Sequence, residues 1–159
     1  MTMARILAVD DNPYNLELMT YLLVASGHTV IPAITGSSGF DLVRAQRPDL
    51  VVLDIQLPDT DGYAVLARLR SDPDLAGLRV VAVTAYAMVG ERDRALLAGF
   101  DGYLSKPIEP TSFARTIDTY LPKALRGHEP SAQWPEHPDL VTTDMVLTTM
   151  DSYGSNEAQ

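Results

Sequence analysis

Five times along this chain a short run of Val, Ile, Leu and Ala gives way to a polar residue and then to a longer amphipathic segment. The apolar runs cover residues 4–10, 29–33, 50–54, 80–84 and 102–105, and the third and fourth are apolar almost throughout. A strand with one wet face alternates apolar and polar residues, whereas one buried on both faces reads as a continuous apolar run. The segments between, 13–26, 37–46, 62–70, 88–98 and 109–120, carry helix punctuation: Pro13 suits a first turn, and Gly27 and Gly99 suit C-terminal caps. The pattern predicts an α/β fold, a single open sheet of five parallel strands joined by crossover helices.

Length and composition narrow this further. The 159 residues fit one compact domain with an appendage, and 46% apolar against 21% charged residues is the balance of a globular protein with a real core. Twelve basic and 21 acidic residues leave a net charge of −9, which repels phosphate backbones and argues against nucleic acid as a partner. Without cysteine there is no disulfide framework, thiolate zinc site or thiol nucleophile. Residues 1–10 have no signal-peptide pattern, and no apolar run approaches the ~18 residues a membrane helix needs, so the expectation is a cytoplasmic chain with no membrane partner. Met1, just before the first strand, fits a natural start. The expected organisation is one domain over residues 1–121 followed by an acidic extension, 122–159, with four prolines and a charge of two basic minus six acidic, or −4. Within that extension only residues 140–150 have a helical pattern, weakened by threonines.

Ligands of an open parallel sheet bind beyond the carboxyl ends of its strands. Here those ends are polar: Asp10-Asp11 after the first, Asp54 closing the third, Thr84 closing the fourth, and Ser105-Lys106 closing the fifth. Taken singly, an Asp pair before Asn12-Pro13 could merely make a turn and cap a helix. Asp54 is different, because a carboxylate directly after Val51-Val52-Leu53 sits where desolvation is expensive and needs a compensating cation. Three carboxylates at one rim raise one another's pKa unless positive charge lies among them. Oxygen-only ligands suit Mg²⁺, and the lack of Cys and of nearby His argues against zinc. With the ion present, Lys106 as a point charge and the Thr84 hydroxyl complete a cradle for phosphoryl oxygens, in which a carboxylate is a nucleophile. The reaction class is phosphoryl transfer and the product an aspartyl phosphate.

Asp10-Asp11, Asp54 with Pro58 and Gly62 after it, Thr84-Ala85 and Lys106-Pro107 together resemble the response-regulator receiver domains of two-component signalling, over about residues 4–121. The likeness is to the single-domain type of chemotaxis and cell-cycle regulators. It implies a flavodoxin-like (βα)5 fold with strand order 2-1-3-4-5 and helices on both faces. It also implies a phosphorelay in which a histidine kinase or histidine phosphotransfer protein supplies the phosphoryl group from phosphohistidine. By the same resemblance, Asp11 and Asp54 bind Mg²⁺ through their carboxylates, Gln56 through its backbone carbonyl, and Asp10 mostly through water. Asp54 is the phosphoacceptor, Lys106 holds a phosphoryl oxygen, and Pro107 follows a cis peptide bond. Thr84 and Tyr103 form the switch, and Gln56 and Tyr86 tune the lifetime of the phosphoryl group. The surface that responds is the fourth helix, fifth strand and fifth helix, which contacts a downstream protein target or a second copy of the chain. For Tyr103 a half-buried strand aromatic is the plainer alternative. His28, His128 and His137 stand in no motif and receive no role.

The resemblance implies a signalling protein whose only chemistry is its own phosphorylation and dephosphorylation, not an enzyme acting on a separate substrate. An aspartate-nucleophile, Mg²⁺-dependent phosphohydrolase would use Asp54, Thr84 and Lys106 in the same way. Such enzymes place a second Asp two residues after the nucleophile, and the amide of Gln56 there cannot act as general acid. A receiver cut from a larger hybrid protein and a receiver-shaped, phosphate-independent scaffold binding through Trp134 and residues 145–150 complete the alternatives. The extension is expected to modulate dimerisation or partner choice.

Overall fold

A computed structural model describes residues 3–85 and 88–127. The expectations for Tyr86, Trp134, His128, His137 and the pattern at 140–150 lie outside the described residues. The elements alternate: β1 (Arg5–Val9), α1 (Pro13–Ala25), β2 (Thr29–Ala33), α2 (Gly36–Gln46), β3 (Leu50–Asp54), α3 (Gly62–Ser71), β4 (Arg79–Thr84), α4 (Glu91–Ala98), β5 (Gly102–Ser105) and α5 (Phe113–Asp118), then a 3₁₀ turn at Lys123–Leu125. The strands form one parallel sheet in the order β2-β1-β3-β4-β5, as expected.

Two cores follow from the period-two geometry of the strands. Ile6, Ala8, Leu50, Val52, Val81 and Val83 face α1 and α5, meeting Leu16, Met19, Leu23, Phe113 and Ile117. The alternate residues Leu7, Val9, Val51, Leu53, Val80 and Ala82 face α2, α3 and α4, meeting Phe40, Val43, Val65, Leu66, Leu69 and Ala95. Every residue of β3 is buried, which is why that strand reads as unbroken Leu-Val-Val-Leu before its aspartate. Pro32 sits on β2, an edge strand, where its missing N–H costs the ladder least.

Two helices depart from the sequence boundaries. The fourth, expected from residue 88, begins at Glu91, because Gly90 takes a left-handed φ of 84° and Met88–Gly90 form a turn closed by the Glu91 amide on the Met88 carbonyl. The fifth, expected over 109–120, is regular only over Phe113–Asp118. Glu109 precedes Pro110 and is steered away from helical geometry. At the far end Thr119, Tyr120 and Leu121 donate to carbonyls three residues back, ahead of Pro122. The chain stays packed beyond Leu121: Leu125 lies against the α1/α5 core, and the Gly127 amide donates to Asp118 Oδ2 at 3.2 Å. Among the described residues no helix is long and apolar enough to cross a membrane.

Candidate functional site

The carboxyl ends of β1, β3, β4 and β5 bring the sequence-selected residues together at one rim. Asp10 follows β1 and is fully buried; its Oδ1 accepts from the Asn12 amide at 2.9 Å, which bends the chain into α1, capped in turn by the Asn12 side chain. Asp11, next in the chain, is exposed. Asp54 ends β3 with 4% exposure, and its Oδ1 accepts from the Gln56 amide at 2.9 Å. One carboxylate oxygen from each of Asp10, Asp11 and Asp54 lies within 4.8 Å of the other two.

Lys106 reaches the rim from the end of β5, anchored where its amide donates to the Thr84 carbonyl at 2.7 Å. Its Nζ donates to Asp54 Oδ2 at 3.0 Å and lies 2.8 Å from Asp10 Oδ2. The Asp10 contact is a close ion pair off hydrogen-bond alignment, which leaves that buried oxygen without a well-directed donor among the described residues. Burial pushes the Asp54 carboxyl above its ordinary pKa; the Gln56 amide and the Lys106 ammonium oppose this, and the Asp10 charge adds to it. For Lys106 burial works against the ammonium, but the Asp10 and Asp54 carboxylates outweigh it and its pKa is raised.

One ammonium among three carboxylates leaves the rim short of positive charge. The oxygen-only donor set, with two buried and one exposed carboxylate, fits a hard divalent cation such as Mg²⁺ that keeps part of its water. The poorly paired Asp10 Oδ2 is an acceptor such an ion or its water would satisfy.

The other selected residues take more varied positions. Thr84, the buried last residue of β4, lines a cleft of about 580 Å³ with Ile55, Gln56, Asp61, Met88 and Glu91. Gln56 is exposed and pairs in an isolated bridge with Asp61. The Lys106–Pro107 peptide bond is cis. Tyr103, in the middle of β5, packs against the α2/α3/α4 core rather than joining the carboxylates. Its hydroxyl is buried with no hydrogen-bond partner among the described residues.

Three features of this end of the fold carry weight that the sequence did not announce. Asp59 reaches across to cap α2, accepting from the Gly36 and Ser37 amides at 2.9 and 3.0 Å. Tyr63 on α3 is bonded to Glu91 on α4, a pair with no spacing signature. Asp61 caps α3 through the Ala64 amide at 2.8 Å, and an Asp directly before Gly62 and an apolar run is a signal that could have marked it.

A family model of the response regulator receiver domain matches residues 6–118. The polar-differentiation response regulator DivK of Brucella anthropi is 41% identical over 116 residues, covering 73% of this chain and 94% of that protein. A CheY-like response regulator receiver domain protein from Methanospirillum hungatei has a similar structure, with a TM-score of 0.68 and 30% identity over 74% of this chain and 93% of that one. The receiver domain of a sensor histidine kinase from Pseudomonas aeruginosa, solved with a magnesium ion coordinated in its active-site cleft, gives a TM-score of 0.68 and 29% identity over 75% of this chain and 98% of that one.

Proposed function

This chain belongs to the response regulator receiver domain family, and on that premise we propose that it takes a phosphoryl group from a phosphohistidine onto Asp54, with Mg²⁺ held by Asp11, Asp54 and the Gln56 carbonyl and, through water, by Asp10. The observation that carries this reading is the shared position of the Asp10, Asp11 and Asp54 carboxylates with the Lys106 ammonium 3.0 Å from Asp54 Oδ2. When bound, the ion supplies positive charge that offsets the phosphoryl oxygens and the carboxylates alike. The magnesium in the Pseudomonas aeruginosa receiver domain supports the choice of cation.

In the transfer, a carboxylate oxygen of Asp54 forms an O–P bond while the P–N bond to the donor imidazole breaks and its electron pair returns to the ring nitrogen. Fixing Asp54 Oδ1 on the Gln56 amide leaves Oδ2, the oxygen facing Lys106, as the side aimed at the donor. Lys106 exchanges its carboxylate contact for a phosphoryl oxygen, and the Thr84 hydroxyl turns to a second one. Tyr103 follows Thr84, and the α4–β5–α5 surface changes by a shift between two populations. That surface and the turn leading into it offer apolar contact: Leu97 on α4 is 88% exposed, and Met88 and Val89 in the turn before α4 are also exposed. The chain thus passes a signal from a histidine kinase or phosphotransfer protein to a downstream protein, with residues 122–159 adjusting dimerisation or partner choice.

Mixing the protein with Mg²⁺ and acetyl phosphate and reading intact mass beside an Asp54→Ala control tests the reading. One phosphoryl group is expected, absent from the control and absent without Mg²⁺. If neither the adduct nor binding of a beryllium fluoride mimic is seen, a phosphate-independent scaffold replaces it.

A further inference from the structure

Beside the acidic rim, three side chains tie α3 to the start of α4. Tyr63, in the first turn of α3, donates its hydroxyl to Oε1 of Glu91, the first residue of α4, at 3.1 Å. Arg94 lies 4.5 Å over the Tyr63 ring and 3.9 Å from the other Glu91 oxygen. The ring also meets Phe100 edge-on, with centroids 5.6 Å apart. The Glu91 side chain is only 18% exposed although its neighbours Arg92 and Asp93 are exposed, so this carboxylate is turned toward the body of the protein.

A second phenol, Tyr103, belongs to the same packed cluster as Tyr63 and as Ala95 of α4. The buried Tyr103 hydroxyl has no partner among the described residues, and after burial the charge of Glu91 is what raises its pKa further. A buried hydroxyl without a partner is a standing cost, whereas the half-buried Tyr63 can turn its hydroxyl to water if it lets go. The Glu91 side chain has open space beside it, since Tyr63, Thr84, Glu91 and Arg94 line one cleft of about 580 Å³. The start of α4 has no side-chain cap, and Gly90 before it, at φ 84°, has open space on its Cβ side. Besides the backbone turn closed by the Glu91 amide and the burial of Ala95, the first residue of α4 is tied to α3 through the Glu91 side chain.

We propose that Glu91 is a shared acceptor: Tyr63 holds it in the resting state, and in the phosphorylated state it passes to Tyr103, carrying the start of α4 with it. The proposal rests on the reading of Asp54 as phosphoacceptor and adds the device that biases its switch. A contact made in only one of two states shifts their equilibrium by its own free energy, and a ligand that favours the other state binds tighter by the same factor once the contact is gone.

The test measures beryllium fluoride affinity of the full chain in Mg²⁺ by calorimetry, with amide spectra confirming the fold. Tyr63→Phe keeps the ring, its Phe100 contact and its Arg94 contact but removes the hydroxyl; it is expected to tighten binding roughly five- to thirtyfold, the scale of one hydrogen bond to a charged group at a part-exposed site. Adding Tyr103→Phe should cancel that gain, and in a Glu91→Ala background Tyr63→Phe should change nothing. A merely structural Tyr63 would weaken binding when altered, so unchanged or weaker binding by Tyr63→Phe overturns the proposal. Failure of the unaltered protein to bind the mimic overturns the phosphoacceptor reading, and this device with it; binding by the unaltered protein with no gain in Tyr63→Phe overturns the device alone.

Discussion

The ammonium of Lys106 stands 3.0 Å from Oδ2 of Asp54 and, on its other side, 2.8 Å from Oδ2 of Asp10. A single cation thus lies between two buried carboxylates at the end of a parallel sheet. Removing it by Lys106→Ala leaves the carboxylates in place without their neutralising partner and leaves an incoming phosphoryl oxygen without its donor. The expected result is an about hundredfold slower labelling of Asp54 by acetyl phosphate, the scale seen when one oxyanion donor is removed. Lys106→Arg should restore little, since a planar fork cannot replace a compact ammonium. Stopped-flow or quenched mass spectrometry reads the rate; unchanged labelling in the alanine variant would mean that Lys106 serves only the resting structure.

Asp59 titrates in the opposite direction from Asp54. The Gly36 and Ser37 amides hold its carboxyl below the ordinary carboxylate pKa. Because the folded value lies below the unfolded one, the stability this cap adds is fully present above the unfolded pKa. It is lost as pH falls through the folded value. An NMR titration should place the Asp59 midpoint below that of an unstructured peptide, with the Gly36 amide shift following the same curve. A midpoint at the peptide value would contradict the cap.

His28 joins segments far apart in sequence. Its Nδ1 lies 3.3 Å from the Ala4 amide, which can only donate, so Nε2 carries the proton and donates to Asp118 Oδ1 at 2.8 Å. His28→Ala leaves a buried amide and a carboxylate oxygen without this partner, and the expected loss is about 2–4 kcal/mol of stability. The urea midpoint should fall with an unchanged slope. Labelling of Asp54 should keep its rate in the folded variant, because His28 lies at the amino ends of β1 and β2, opposite the acidic rim.

The sheet was legible because both faces of β1, β3 and β4 are covered, and double burial writes itself into sequence as unbroken apolar runs ending in one polar residue. The rim was legible for the same reason: Asp54 and Thr84 are fixed by the strands they end, so their convergence follows from parallel order. Helix starts were less so. Gly90 ends one turn and opens α4, while Pro110 disorganises the start of an expected fifth helix, and both act against an amphipathic pattern that runs straight through them. Contacts such as His28 with Asp118 and Tyr63 with Glu91 leave no trace in spacing, because only the tertiary fold brings residues 90 and 28 positions apart together.

Gly62 belongs to both categories, since the sequence marks it and only the structure says why. It opens α3, and its amide donates to the Ile55 carbonyl at 2.6 Å, drawing the start of the helix against the end of β3. A Cβ at this position would lie 2.7 Å from Ile55 Cα and 2.9 Å from the Asp54 carbonyl oxygen, both backbone atoms that cannot swing aside. Gly62→Ala must therefore push the loop after Asp54 outward, at a cost of about 1–3 kcal/mol for overpacking. That loop carries the Gln56 amide, which fixes Asp54 Oδ1, so the displacement should also reach the acceptor carboxylate. The expected signature is joint: a lower denaturation midpoint, and labelling of Asp54 slowed even at temperatures where the variant is fully folded. Loss of stability with normal labelling would show that the loop yields on the side away from Gln56 and that the close approach of Gly62 serves packing alone.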